Sequence, residues 1–246
     1  MISVLCPTYG RATLLNELVE SFIRQTDADA ELIVLNDNSA QTISFDHPRI
    51  RIINRTERFT SLGKKRNALL ALAMGSHVCF WDDDDIYLPC FLAKSKALLP
   101  CFVTGKAAKP PFVWTDAGGQ LYRLTPAAYM NAMIAERDLL HKMGGFDDCD
   151  FNEDYAIVRE LVLSNNLTSK APLHDIPSVI IRTRTGNLQV TAARNMDIPA
   201  VIHHDFERRV AEGTEPVGNI TLKPAWKSDY LASAAASREH YHANSN

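Results

Sequence analysis

Four consecutive carboxylates, Asp82-Asp83-Asp84-Asp85, follow the apolar run His77-Val78-Cys79-Phe80-Trp81. Like charges held this close repel by roughly 1 kcal/mol per pair even in water, and a counter-cation relieves the repulsion. Carboxylate oxygens are hard ligands that suit Mg2+ or Mn2+, ions usually shared with substrate phosphates. A second pair of acids, Glu153-Asp154, precedes a stretch with Ile157, Val158, Leu161 and Val162 at helical spacing. A carboxylate within hydrogen-bond reach of a hydroxyl can take its proton as a new bond forms, which typically contributes ~10²–10⁴-fold in rate. Each feature also has a plain structural reading. The Asp run can be a solvated turn capping the next helix, and Glu153-Asp154 a helix start favoured by the macrodipole.

The acids depend on the elements around them. Ile2 to Cys6, Glu31 to Leu35, Ile50 to Asn54 and His77 to Trp81 read as short buried strands. Between them, Leu14, Leu15, Leu18, Val19, Phe22 and Ile23 mark a helix over residues 12–25, and Gly63-Lys64-Lys65-Arg66-Asn67 opens another that carries Leu69, Leu70, Leu72 and Met74. Strands alternating with helices, with continuous apolar strands, predict a parallel or mostly parallel sheet. The Asp run then sits at the carboxyl end of a strand, where open α/β sheets bind ligands. A third helical pattern begins near Leu88-Pro89-Cys90-Phe91-Leu92.

After Pro100 the rhythm changes. Pro110-Pro111 and Gly118-Gly119 interrupt short strand candidates at Phe112 to Thr115 and Gln120 to Leu124, and Tyr129 to Ile134 is a candidate to return to the sheet. Arg137 to Met143 reads as a short helix stopped by Gly144-Gly145. Asp154 to Ser164 reads as a helix, Val179 to Thr183 as a strand and Pro199 to Glu212 as an amphipathic helix; the Ala/Ser/His/Asn-rich tail from Ala232 is expected to fray.

Composition bounds the class. The chain has 246 residues, 46% hydrophobic and 22% charged, ordinary for a soluble globular protein with a sizeable core. A net charge of −3 gives no global basic footprint for nucleic acid. The five cysteines, Cys6, Cys79, Cys90, Cys101 and Cys149, are odd in number and form no CxxC. They read as reduced thiols in a cytoplasmic setting, without structural zinc. No basic-flanked leader and no run of 18 apolar residues is present, so neither a signal peptide nor a membrane span is expected.

Five segments in order carry a resemblance: Val4-Leu5-Cys6-Pro7-Thr8-Tyr9-Gly10-Arg11; Leu32-Ile33-Val34-Leu35-Asn36-Asp37-Asn38-Ser39; Gly63-Lys64-Lys65-Arg66-Asn67; Phe80-Trp81-Asp82-Asp83-Asp84-Asp85 with Pro89 beyond; and Gly144-Gly145-Phe146-Asp147 followed by Glu153-Asp154-Tyr155. Together they resemble the family 2 glycosyltransferases with the GT-A fold, over about residues 1–165. The resemblance implies a Rossmann-like α/β domain with a mostly parallel central sheet flanked by helices, an irregular acceptor side and a C-terminal helical extension. It implies a nucleotide diphosphate-sugar donor, a UDP-sugar above all, a divalent metal (Mn2+ or Mg2+) and inversion at the anomeric carbon.

Carried over position by position, Thr8, Tyr9 and Arg11 would lie along the nucleobase pocket. Asp37 would hydrogen-bond the base or ribose, and Arg66 would contact the nucleotide. Asp82 and Asp83 would line the ribose–diphosphate side, Asp84 would ligate the metal with Asp82 beside it, and Asp154 would be the catalytic base with Glu153 as its neighbour. Relatives often carry an Arg/His segment after the base helix; Arg182-Thr183-Arg184-Thr185 and His203-His204-Asp205 are the candidates. His203 would complete the metal shell, although His203 and His204 point in different directions on a helix and both read equally as polar surface. Trp81 reads as core, whereas Trp114 is a candidate to face a ligand.

On this reading residues 1–100 form the nucleotide-sugar half, 101–185 the acceptor half of the same domain, and 186–246 an extension. The acceptor stays open among a glycan, a lipid-linked sugar, a protein and a modified nucleic-acid base. Two rivals stand beside it. A sugar-phosphate nucleotidylyltransferase has a related fold but a Gly-rich loop with Arg directly after the first strand, where this chain has Pro7-Thr8-Tyr9-Gly10. A non-catalytic nucleotide- or sugar-binding module would not need both the Asp run and Glu153-Asp154.

Overall fold

The structure, a computed structural model, describes residues 1–98, 107–108, 113–117, 120–124, 133–164, 167–168, 178–182 and 197–243. In chain order the elements are β1 (Ile2–Thr8), α1 (Ala12–Ile23), β2 (Ala30–Asn36), β3 (Gln41–Ser44), β4 (Ile50–Asn54), α2 (Leu62–Leu72), β5 (His77–Phe80), β6 (Ile86–Tyr87) and α3 (Phe91–Leu98). Then come β7 (Ala107–Ala108), β8 (Val113–Ala117), β9 (Gln120–Leu124), β10 (Ile134–Glu136), α4 (Arg137–Lys142), α5 (Tyr155–Leu163) and β11 (Leu167–Thr168). The last are β12 (Val179–Arg182), α6 (Ile198–Ala211), β13 (Gly218–Thr221) and α7 (Tyr230–Ala243).

The central sheet runs β11-β7-β10-β5-β1-β2-β4. Strand β1 pairs in parallel with β2 on one side and β5 on the other, and β2 pairs in parallel with β4. Among the described strands of this sheet, only β10 runs against its neighbours, β5 and β7. Every residue of β2 is buried, which is why Leu32 to Leu35 are continuously apolar instead of alternating. Helix α1 packs Leu15, Leu18, Val19 and Phe22 on one face of this sheet, and α2 packs Leu69 and Leu70 on the other. The chain leaves β1 towards both neighbours, so a crevice opens at the carboxyl ends of β1, β2 and β5, where Thr8, Asp37 and Asp82 follow.

A smaller sheet, β6-β12-β8-β9, flanks the acidic run, and β13 pairs in parallel with β3. Strands β3, β6 and β13 were not expected from the sequence. At Ile43, β3 is fastened by the side chain of Asn54, which accepts from Ile43 N–H at 2.9 Å and donates to Ile43 C=O at 2.8 Å. The tail expected to fray is instead helical through Ala243 and buries Tyr230 and Ala234 against Ile86, Leu88 and Ile180. The expected return strand begins at Ile134; residues 129–132, Pro110-Pro111, Gly118-Gly119, Cys101 and Thr183 to Thr185 lie outside the described residues. Cys6, Cys79, Cys90 and Cys149 are free thiols. Among the described residues no helix is long and apolar enough to cross a membrane.

Candidate active site

Residues Asp82 to Asp85 form a tight turn, closed by Asp85 N–H donating to Asp82 C=O at 3.3 Å. The turn is anchored below by Trp81, fully buried and stacked on Tyr87 with ring centroids 3.9 Å apart; the Tyr87 hydroxyl accepts from Asp82 N–H at 3.1 Å. Trp81 is therefore core, as expected. The side chain of Trp114 lies outside the described ones.

Charge is packed densely around this turn. Arg11 Nη1 donates to Asp83 Oδ1 at 3.0 Å and to Asp84 Oδ2 at 3.1 Å, and Thr8 Oγ1 donates to Asp83 Oδ2 at 2.6 Å. Asp82 faces the other way, 3.3 Å from Arg66 Nη2. Burial, opposed by Arg11 and reinforced by Asp83 and Asp82, pushes the Asp84 carboxyl up to about 6. Asp82 is raised by burial against the pull of Arg66, and Asp85 well above its ordinary value by burial and by Asp84.

Helix α2 delivers the opposing cations. Its start is capped by Ser61, whose hydroxyl accepts from Lys64 N–H at 3.2 Å. Its inward stripe is Gly63, Lys65, Arg66, Leu69 and Leu70, so two charged side chains occupy the helical positions that elsewhere carry Leu. Lys65 Nζ donates to Thr8 C=O at 2.6 Å and to Asp37 Oδ1, and Asp37 Oδ2 accepts from Phe59 N–H at 2.9 Å. Asp37 is 4% exposed, so its position is fixed from two sides, while the remaining lone pairs of a carboxylate stay available to a ligand.

The segment 144–154 is fastened to the same helix. Asn67 accepts from Phe146 N–H at 2.8 Å and donates to Phe146 C=O at 2.9 Å. Gly63 N–H donates to Cys149 C=O, and a Cβ there would lie 1.7 Å from the Asp147 carbonyl oxygen, so the approach requires glycine. Gly144 and Gly145 end α4 with φ of 86° and 76°, as their sequence position predicts. Glu153 is buried with its Oε1 3.2 Å from Arg66 Nε, and burial raises its carboxyl despite Arg66. Asp154, half-buried, stands at the start of α5 with no capping bond from its side chain.

These groups line one cleft of about 380 Å³: Thr8, Tyr9, Arg11, Asp37, Lys65, Arg66, Asp82, Asp83, Asp84, Glu153 and Asp154, with Ile198, Pro199 and Ile202 of α6 on its rim. Of the candidates named from the sequence, these and Arg182 line it, whereas His203, His204 and Asp205 do not, and Arg184 and the Trp114 side chain lie outside the described ones. The His203 side chain is exposed; its Nδ1 lies 2.9 Å from the Tyr9 hydroxyl and its Nε2 3.4 Å from Glu207. Among the described residues no three His, Cys, Asp or Glu side chains are arranged to hold a metal, so His203 does not form a ready set with Asp82 and Asp84. Lys65 and Arg58 were missed in the sequence. Arg58 lies 4.1 Å above the Tyr9 ring and donates to Pro199 C=O at 2.9 Å. The signal for Lys65 was its place beside Arg66 on the inward stripe of α2.

Residues 3–97 match the family described as glycosyl transferase family 2. Among curated proteins, a GalNAc(5)-diNAcBac-PP-undecaprenol beta-1,3-glucosyltransferase of Campylobacter jejuni is 36% identical over 92 residues, covering 34% of this chain and 29% of the relative. The UDP-Glc:alpha-D-GlcNAc-diphosphoundecaprenol beta-1,3-glucosyltransferase WfgD of Escherichia coli is 28% identical over 93 residues, covering 36% of each. The chain thus spans about a third of the length of the curated relatives it matches. Among solved structures, Staphylococcus aureus TarS with UDP-GlcNAc superposes with a TM-score of 0.60 at 17% identity, over 85% of this chain and 72% of that one. The mannosyltransferase PcManGT of Pyrobaculum calidifontis, with GDP-Man and Mn2+, gives 0.54 at 18% identity over 100% of this chain and 76% of that one. With the strand order, the acidic turn at the end of β5 and these likenesses in agreement, residues 3–97 are similar to glycosyl transferase family 2 and the chain has the GT-A fold.

Proposed function

We propose that the protein is an inverting glycosyltransferase that moves a sugar from a nucleotide diphosphate-sugar, a UDP-sugar in the first instance, to a hydroxyl acceptor. One observation carries the reading: acids and cations from five separated segments line a single cleft at the carboxyl ends of β1, β2 and β5.

The donor set fits a divalent cation such as Mn2+ or Mg2+. Burial first, and the neighbouring acids after it, raise Asp84 and Asp82 against the pull of Arg11 and Arg66, so a bound cation would relieve both effects. One or two carboxylates with substrate phosphates are the usual way such ions are held. Asp84 and Asp82 would hold the ion, which when bound supplies charge stabilisation to the departing diphosphate. Asp37, braced by Lys65 and Phe59, would accept from the base or ribose, with Thr8, Tyr9 and Arg11 along the base pocket and Asp83 on the ribose–diphosphate side. Arg66 would contact the nucleotide.

Asp154 would remove the proton from the acceptor hydroxyl as the glycosidic bond forms on the face opposite the leaving diphosphate. A single displacement of this kind inverts the anomeric carbon. Glu153, tied to Arg66, would orient the start of α5. For the acceptor, undecaprenol-linked saccharides in the names of both curated relatives favour a lipid-linked sugar. A GDP-sugar donor is the second reading, because the neighbour covering the whole chain was solved with GDP-Man and Mn2+.

The test is a panel of radiolabelled UDP- and GDP-sugars incubated with the protein in Mn2+ or in EDTA, scored for slow donor hydrolysis, alongside calorimetry of UDP binding. Metal-dependent release from one donor is expected. Equal UDP affinity in Mn2+ and EDTA removes the metal from the reading, and no binding of either nucleotide removes the transferase.

A further inference from the structure

The acidic turn is gripped from behind by residues that no part of the catalytic reading uses. Arg182, at the end of β12, donates its backbone N–H to Asp85 Oδ1 at 3.1 Å and its Nε to the Asp84 carbonyl oxygen. Its Nη1 pairs with Glu17 of α1 and lies 3.5 Å from the Tyr230 hydroxyl. The Glu17 side chain is fully buried and accepts from the Tyr230 hydroxyl at 2.8 Å and from Lys227 N–H at 3.0 Å.

We infer that Glu17, Arg182 and Tyr230 are positioning residues for the turn Asp82 to Asp85, through which the C-terminal segment sets how Asp84 faces the donor cleft. The inference rests on the functional reading only in giving Asp84 its metal. The turn has two faces. On the cleft face Arg11 meets the Asp84 carboxylate, and on the rear face Arg182 meets the carbonyl of the same residue. A peptide whose carbonyl is fixed cannot rotate freely, so the direction of the Asp84 Cα–Cβ bond is restrained with it, and Arg11 holds the carboxylate from the other side. Glu17 keeps Arg182 in place, and Tyr230 and Lys227, both in the last segment, keep Glu17 in place.

Burial works against the charge of Glu17, yet Arg182 and the donors from Lys227 and Tyr230 hold its carboxyl below the ordinary value. The pair is therefore charged at neutral pH. Without the Glu17 charge, Arg182 would compete for the carboxylates of the turn it already touches and pull them off the cleft. Outer partners of this kind commonly change metal affinity by roughly 10–100-fold when removed.

Glu17→Gln keeps the shape and removes the charge; Tyr230→Phe keeps the packing and removes one bond, and remains informative if Glu17→Gln folds poorly. Two readouts apply to the full chain. Amide exchange by mass spectrometry follows residues 82–87 against β1 and β2, and calorimetry follows Mn2+ binding in the presence of UDP. Glu17→Gln is expected to speed exchange in 82–87 selectively and to weaken Mn2+ by about tenfold or more, with Tyr230→Phe weaker in the same direction. UDP affinity in EDTA should stay within about twofold of wild type. Protection of 82–87 equal to wild type in both variants, or exchange rising equally in β1 and β2, overturns the inference and leaves a merely structural ion pair. A wild-type protein whose UDP binding ignores Mn2+ sinks the metal reading instead, and exchange in 82–87 still decides the positioning role.

Discussion

Arg66 Nε lies 3.2 Å from Glu153 Oε1, with both side chains buried, while the next residue, Asp154, stays half-buried at the cleft. Two adjacent acids thereby stand in different surroundings. Asp154→Asn is expected to lower transfer by ~10²-fold or more, with UDP affinity and melting temperature little changed. Glu153→Gln should act mainly by loosening Arg66, raising the donor KM and lowering stability. Near-normal transfer by Asp154→Asn together with an inactive Glu153→Gln would move the base by one residue.

The raised Asp84 carboxyl makes a prediction about the metal-free protein. At about 6, the folded state holds this proton more tightly than the unfolded chain, whose ordinary value is 3.8. Folding is therefore favoured by protonation, and that contribution is lost as pH rises from about 4 through 6. By pH 7 the ionised group costs on the order of 2–3 kcal/mol. Asp84→Asn should then raise the melting temperature in EDTA at pH 7 by several degrees, with the advantage fading near pH 4. The same variant should lose the effect of Mn2+ on UDP binding. A lower melting temperature at pH 7 would contradict this account.

Lys65 and Asp37 form a buried pair, and burial pulls the Lys65 amine down while Asp37 holds it up. Asp37→Ala leaves an uncompensated buried cation and is expected to destabilise by about 3–5 kcal/mol in urea unfolding. A Lys65→Met, Asp37→Leu double variant should recover much of that loss. If the double variant is no better than the single one, lost packing and not an orphaned charge explains the cost.

Gly63 allows α2 to touch the 144–154 segment, and a methyl group there meets the Asp147 carbonyl at 1.7 Å. Gly63→Ala should push that segment away, lowering stability by about 1–3 kcal/mol and reducing transfer more than UDP binding. Crystallography or amide exchange of residues 146–154 would show the shift; an unshifted segment would remove the argument.

Much of the site was readable because its residues sit at strand ends. Buried parallel strands leave continuous apolar runs, so β1, β2 and β5 declared themselves and carried Thr8, Asp37 and Asp82 with them. What stayed hidden depends on contacts distant in sequence. Lys65 looks like one more surface cation in Lys64-Lys65-Arg66 until Asp37 is seen beneath it. Glu17 lies on an otherwise apolar helix face, and nothing local shows that Arg182 and Tyr230 converge on it. Gly218 to Thr221 has no alternating pattern, because β13 exists only by pairing with β3. His203 went to Tyr9, a contact that no spacing in α6 announces.

The pairing of β3 with β13 also sets an order of assembly. Ser44 and Thr221 face each other across 177 residues of chain. A ribosome that has released the strands of the central sheet has not yet made the partner of β3. Until it does, β3 offers an open edge to any other strand nearby, the usual template for association between chains. A product ended before Glu215 would keep that edge permanently. It would also lack Glu215, whose carboxylate ties Thr13 and Gln41 to Arg209. Forms shortened before Glu215 should therefore self-associate more readily than the full chain, a difference that sedimentation would read.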